Sequence, residues 1–211
     1  MRRALITTVV AAIAVLASAG TANAARGQTF HVRFHGKFAE AAWETSTSNT
    51  VTDTYSVAQS SKTGDELFVD QFTANLDDQG NFTGGTDTFV DVTTGFSFGM
   101  TSRLRSAQVS GRGIPATSCT FDQDFNQIGC SDTTISVDAS WTGVGPIAHE
   151  TFHDHFRSDG FSENDHFTGT ARNATATGTI GGISLGTDAL IFADMGTAKS
   201  GSSVVCIGNN C

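Results

Sequence analysis

HETFHDHFRSDGFSENDHFTGTARNATATGTI, residues 149–180, is the stretch whose reading decides the fold class. His149, Thr151, His153 and His155 alternate with Glu150, Phe152, Asp154 and Phe156, and the alternation resumes beyond Arg157-Ser158-Asp159-Gly160. A period of two with a polar, glycine-containing break describes two strands joined by a turn. His149-Glu150-Thr151-Phe152-His153 also matches HExxH, the zinc-peptidase motif, which works only on a helix that brings residues four apart onto one face. Gly143, Gly145 and Pro146 just upstream and Gly160 downstream argue against a helix here. As a strand, the same letters place three histidines on one face and Phe152 with Phe156 on the other. The expected arrangement turns the phenylalanines inward and exposes the histidines.

The same period runs through the rest of the chain. Phe30, Val32, Phe34 and Phe38 form one row, and the apolar phase then shifts to Ala39–Trp43, as a bulge would produce. Val51, Tyr55 and Val57 form the next row, and Phe68, Phe72, Ala74 and Leu76 another. Asp77-Asp78-Gln79-Gly80 and Thr93-Thr94-Gly95 read as turns. Phe96, Phe98, Met100 and Leu104 continue the meander, and Gly111–Pro115 is expected to break it. Ile135, Val137, Ala139 and Trp141 then alternate cleanly. No amphipathic helix is legible after residue 24, and the chain has two prolines and 16 phenylalanines, enough aromatic surface for one core. The expectation is a single all-β domain over residues 25–211, an antiparallel β-barrel with a β-sandwich as the alternative.

Residues 1–24 read as a helical secretory signal peptide: Arg2 and Arg3, an apolar Ala4–Ala17, and the small-residue cleavage site Ala22-Asn23-Ala24. Secretion to an extracellular location follows, with no membrane span after cleavage. The chain carries a net charge of −9, and losing Arg2 and Arg3 with the leader takes it to −11. Such a balance repels phosphate backbones, which excludes nucleic acid as a partner. Four cysteines in an oxidising compartment read as two disulfides; of the three possible connectivities, Cys119–Cys130 with Cys206–Cys211 is favoured, because each pair flanks a turn-like segment.

His153 and His155, with His166 on the return strand and His149 nearby, form the candidate metal set, because imidazoles alternating along a strand share a face. No other cofactor is expected. Asp122-Gln123-Asp124-Phe125-Asn126 has the alternating oxygens of a calcium loop, but Gln127 stands where the loop needs glycine and Thr133 where it needs glutamate. A solvated turn explains these residues better. No nucleophile motif is present, so no catalytic residue is assigned. Asn81-Phe82-Thr83 and Asn173-Ala174-Thr175 fit the glycosylation sequon.

Ser140-Trp141-Thr142-Gly143-Val144-Gly145-Pro146, followed by His166-Phe167-Thr168-Gly169-Thr170-Ala171-Arg172, resembles small secreted β proteins of actinobacteria that carry no assigned activity. The resemblance implies a β fold and no catalytic residue. The functional expectation leans away from an enzyme, toward an extracellular binding or surface protein. Its partner would be a small ligand or an extracellular surface component. A metal-dependent enzyme built on the histidines and a structural protein of the cell exterior are the rivals. The sequence does not set the oligomeric state.

Overall fold

The structure, a computed structural model, describes residues 28–158 and 161–207. The expected leader (residues 1–24), the expected turn at 159–160 and Cys211, and with it the expected Cys206–Cys211 pairing, lie outside the described residues. The described chain is almost entirely strand, as the alternation predicts. In order the strands are β1 (Gln28–Ser46), β2 (Thr50–Ser61), β3 (Gly64–Leu76), β4 (Phe82–Val92), β5 (Phe96–Met100) and β6 (Ser106–Phe121). They continue as β7 (Gln127–Gly143), β8 (Ala148–Ser158), β9 (Phe161–Ile180), β10 (Ile183–Leu185) and β11 (Leu190–Ile207). Among the described residues no helix is long and apolar enough to cross a membrane.

The pairing runs β9-β11-β1-β2-β3-β4-β6, and β7 pairs with both β6 and β9, so the ladder returns to its start through eight strands. β4 meets β6 over Gly85–Phe89 and β7 meets β9 over Val137–Gly143, the two short ladders that complete the ring. β5 lies beside β6, while β8 and β10 pair with β9. Contacts group the chain into two compact units: residues 37–147 with 172–196, and a second unit that includes residues 148–171.

The core lies in the first unit. Trp43, Leu67, Val69, Val90, Val109, Ile114, Val137, Ala139, Trp141, Ile180 and Met195 pack there with almost no exposure. Register shows which faces meet: Leu67 opposes Ala58, Val69 opposes both Ser56 and Val90, and Val137 opposes Ile180. Buried indoles need a partner for the ring N–H. Trp43 Nε1 donates to the Ala176 carbonyl at 3.3 Å, and Trp141 Nε1 donates to the Glu40 carbonyl at 2.8 Å, tying β1 to β9 and to β7. Gln71 makes a third tie, donating from Nε2 to Thr54 Oγ1 at 3.1 Å and to the Ile180 carbonyl at 3.2 Å. Gly181 sits against it at φ +58°, where an added Cβ would collide with Gln71 Oε1. A side chain there would have to displace the Gln71 amide and adopt a left-handed backbone, which glycine does without strain.

One sequence reading is corrected, and the structure decides which rows of β2 and β3 meet the core. Val51, Tyr55 and Val57 share a face of β2 as read, and the row facing the core is the opposite one, Thr52, Thr54, Ser56 and Ala58. On β3 it is Leu67, Val69 and Gln71, while Phe68 and Phe72 take the opposite face. The reason is that both faces of these strands carry apolar groups, so the larger aromatics did not mark the core. At Gly111–Pro115 the chain does not break; β6 continues through a register irregularity between Gly111 and Ile114. Its neighbour β5 ends its pairing at Gly111 and β4 begins at Thr117, so Pro115 lies where no partner asks for its missing N–H. The phase shift expected of a bulge at residues 38–39 lies inside an unbroken β1, where Phe38 and Ala39 are both buried.

Candidate functional site

The histidine hairpin forms as the alternation predicts. β8 and β9 pair in antiparallel register, with His153 opposite His166, His155 opposite Asn164, Thr151 opposite Thr168 and His149 opposite Thr170. His149, His153 and His155 are exposed and His166 is half-buried. The HExxH letters lie on β8, so His149 and His153 are separated by four strand residues, about 13 Å. One metal cannot join them through bonds of about 2 Å. Of the four candidates, the structure brings His153 and His166 together, with ring centroids 4.3 Å apart and planes at 61°. His155 shares their face, diagonal to His166; His149 is left out. No group of three or more His, Cys, Asp or Glu arranged to hold a metal occurs among the described residues.

Asp122 explains the loop that suggested calcium. Its Oδ1 accepts from the backbone N–H of Asp124 and of Asn126, both at 2.9 Å, and its Oδ2 accepts from Asn126 Nδ2 at 3.1 Å. Those bonds hold its carboxyl below the usual range. Asp77 repeats the arrangement with Gln79 and Asn81. Both are side-chain-capped turns. The Asp122 turn is closed by the Cys119–Cys130 disulfide between paired residues of β6 and β7, as the spacing predicts. At its tip Phe125 adopts φ +60° and stacks on Phe82, with centroids 4.2 Å apart.

The sequence reading missed a set of buried acids. Glu40 is 1% exposed and Asp194 6%. Tyr55 donates its hydroxyl to Glu40 Oε2 at 2.7 Å, and Asp194 shares a second hydrogen bond with the same carboxyl. Burial dominates and pushes the Glu40 carboxyl up to about 7. The Tyr55 hydroxyl is raised well above its ordinary value, first by burial and then by the Glu40 charge. Phe68 and Phe192 flank Tyr55, each with its ring centroid at 6.3 Å. A second pair, Asp70 and Asp87, is linked by a side-chain hydrogen bond; burial and then the Asp87 charge push Asp70 up to about 7. Glu40 and Asp70 each lie in aromatic-rich segments, and the sequence offered no sign that Glu40 would be buried or Asp70 half-buried.

A third feature is a groove of about 590 Å³ on β5, β6 and β7. Register places Ser97 opposite Ser110, Gly99 opposite Gln108, Gln108 opposite Ser140 and Ser106 opposite Thr142, so these residues share one face. Ser97 Oγ pairs with Ser110 Oγ at 3.0 Å, and Thr101 Oγ1 with Ser106 Oγ at 3.2 Å. The side chains of Gln108, Ser140 and Thr142 make no hydrogen bond to another described residue. No charged residue lines the groove. Gly99 sits mid-strand with nothing within 4 Å of where its Cβ would be. Strand glycine is unfavourable, and no local crowding requires it here. Its effect is to leave the middle of the groove open. The exposed Thr175 and Thr177, opposite Thr142 and Ser140, extend the hydroxyl surface onto β9.

No protein-family model, no curated protein and no solved structure matches this chain.

Proposed function

We propose that this chain is a secreted, non-enzymatic binding protein, a β-barrel that holds a neutral, hydroxyl-rich ligand of saccharide type in the β5–β6–β7 groove. The eight-strand closure of the ladder supports the barrel reading over a sandwich, which would leave edges unpaired. The disulfide between Cys119 and Cys130 is in keeping with an oxidising, extracellular setting. The observation that carries the ligand assignment is Gly99. An open glycine in a strand removes side-chain packing and leaves a hollow, and that hollow is bordered by hydroxyls and the Gln108 amide together with the apolar Phe98, Met100, Ala107 and Trp141, the mixed lining that a sugar's hydroxyls and apolar ring faces can use. Hydroxyl and amide groups donate and accept alike, which suits a ligand that does the same. The uncharged lining offers no ion-pairing partner to a charged ligand, and the net charge of −9 further disfavours anions.

Saturation-transfer-difference NMR against a panel of neutral mono- and oligosaccharides tests the reading. At least one is expected to bind. Gly99→Trp is expected to fill the hollow and abolish the signal, and Gln108→Ala to weaken it, with the far-UV circular dichroism spectrum and the melting temperature unchanged. A panel in which no saccharide binds, or binding that survives Gly99→Trp in a folded protein, would refute it.

A further inference from the structure

Beyond the groove, which the following does not depend on, we propose that His153 and His166 form a two-imidazole site for a divalent transition-metal ion of the copper, nickel and zinc class. The pair is cross-strand, one residue on β8 and one directly opposite on β9. Directly opposed side chains on one face of an antiparallel pair are held within about 5 Å at Cβ by the backbone itself. Ring centroids at 4.3 Å show the two imidazoles in contact. Tetrahedral ligation at bonds of about 2.0–2.1 Å asks for two ring nitrogens about 3.3 Å apart. Rings in contact meet that spacing after rotation of the exposed His153, without backbone movement. The half-buried His166 supplies the fixed ligand and His153 the adjustable one.

His155 lies on the same face of β8, two residues from His153 and diagonal to His166, but the three are not arranged to hold one ion together, so the site rests on the His153–His166 pair. Thr151 and Thr168 complete the next rung with hydroxyls rather than charges. Imidazole ligands prefer copper, nickel and zinc over calcium and magnesium, which choose oxygen. With His153 exposed, two imidazoles leave the other positions of a bound ion to water or an external ligand.

Copper(II) is the probe, titrated into the full chain expressed without an affinity tag. One ion per chain is expected, with an electron paramagnetic resonance spectrum carrying nitrogen superhyperfine structure from at least two imidazoles. His153→Ala and His166→Ala are each expected to weaken binding by about tenfold or more, because each removes one of the paired ligands. His149→Ala, on the same strand but two rungs away, is expected to leave affinity unchanged. Backbone amide NMR of the hairpin confirms that each variant retains its register. Binding that is unchanged in the folded His153→Ala/His166→Ala double variant, or weakened equally by His149→Ala, would overturn the assignment.

Discussion

Replacing Glu40 by glutamine separates the cost of a buried charge from the value of its hydrogen bonds. Glu40 is 1% exposed, and its carboxyl is pushed up to about 7 from 4.5, chiefly by burial. Below about pH 4.5 the group is protonated in both folded and unfolded chains and burial costs no ionisation. Between about 4.5 and 7 the folded state binds more protons than the unfolded one, so stability falls as pH rises. Above about 7 the full penalty is present. Each pKa unit corresponds to 1.36 kcal/mol, so the loss is about 3 kcal/mol. Glutamine keeps an oxygen to accept from Tyr55 and gains an N–H to donate to Asp194, without a titrating group. Urea denaturation at pH 4, 5.5, 7 and 8, with the disulfide intact, measures both chains. Glu40→Gln is expected to match the parent within about 1 kcal/mol at pH 4 and to exceed it by about 3 kcal/mol at pH 8. For a chain of this size that corresponds to roughly 6–12 °C in melting temperature. Equal declines from pH 4 to pH 8 in both proteins would show that the carboxyl is hydrated or paired in the folded state, contrary to the buried arrangement.

Asp87→Asn tests the second acid pair. Removing the Asp87 charge relieves Asp70, whose carboxyl is raised to about 7 by burial and then by that neighbour. The variant is expected to be more stable than the parent at pH 8 by about 1 kcal/mol, discounted for partial solvent screening, and unchanged at pH 4, as read by thermal melts. Replacing Cys119 and Cys130 together by serine opens an 11-residue separation and is expected to cost about 2–3 kcal/mol in denaturant midpoint experiments. An unchanged midpoint would place the Asp122 turn, rather than the disulfide, in charge of that hairpin.

Much of the strand content was legible because it is local. Period-two alternation in Ile135–Trp141 and in residues 149–180, with turn residues at 77–80 and 93–95, marks strands and their ends without reference to the rest of the chain. The Cys119–Cys130 pairing was legible for the same reason: the two cysteines flank one short turn. HETFH was read as strand from its glycine-rich surroundings, and β8 contains it. The face assignments of β2 and β3 were not legible. Val51, Tyr55, Phe68 and Phe72 outrank Thr52, Thr54 and Gln71 in hydrophobicity, yet the second set points to the core, where Gln71 finds Thr54 and Ile180 as partners. A polar side chain can be buried once its hydrogen bonds are met, and those partners are more than a hundred residues apart in the case of Ile180.

The candidate sites divide along the same line. The sequence by itself placed His149, His153 and His155 on one face, since alternation on a strand is fixed by backbone geometry. Only the tertiary structure decided that His166 stands opposite His153, because the register of β8 on β9 is a pairing between segments. It likewise decided that Glu40 is buried beside Tyr55 and Asp194, and that Gly99, Gln108 and Ser140 border one hollow. Alternation within a strand depends on neighbours one or two residues away. Which strand lies beside which, and in what register, depends on contacts spread along the whole chain. The fold class was therefore local information, and the sites were not.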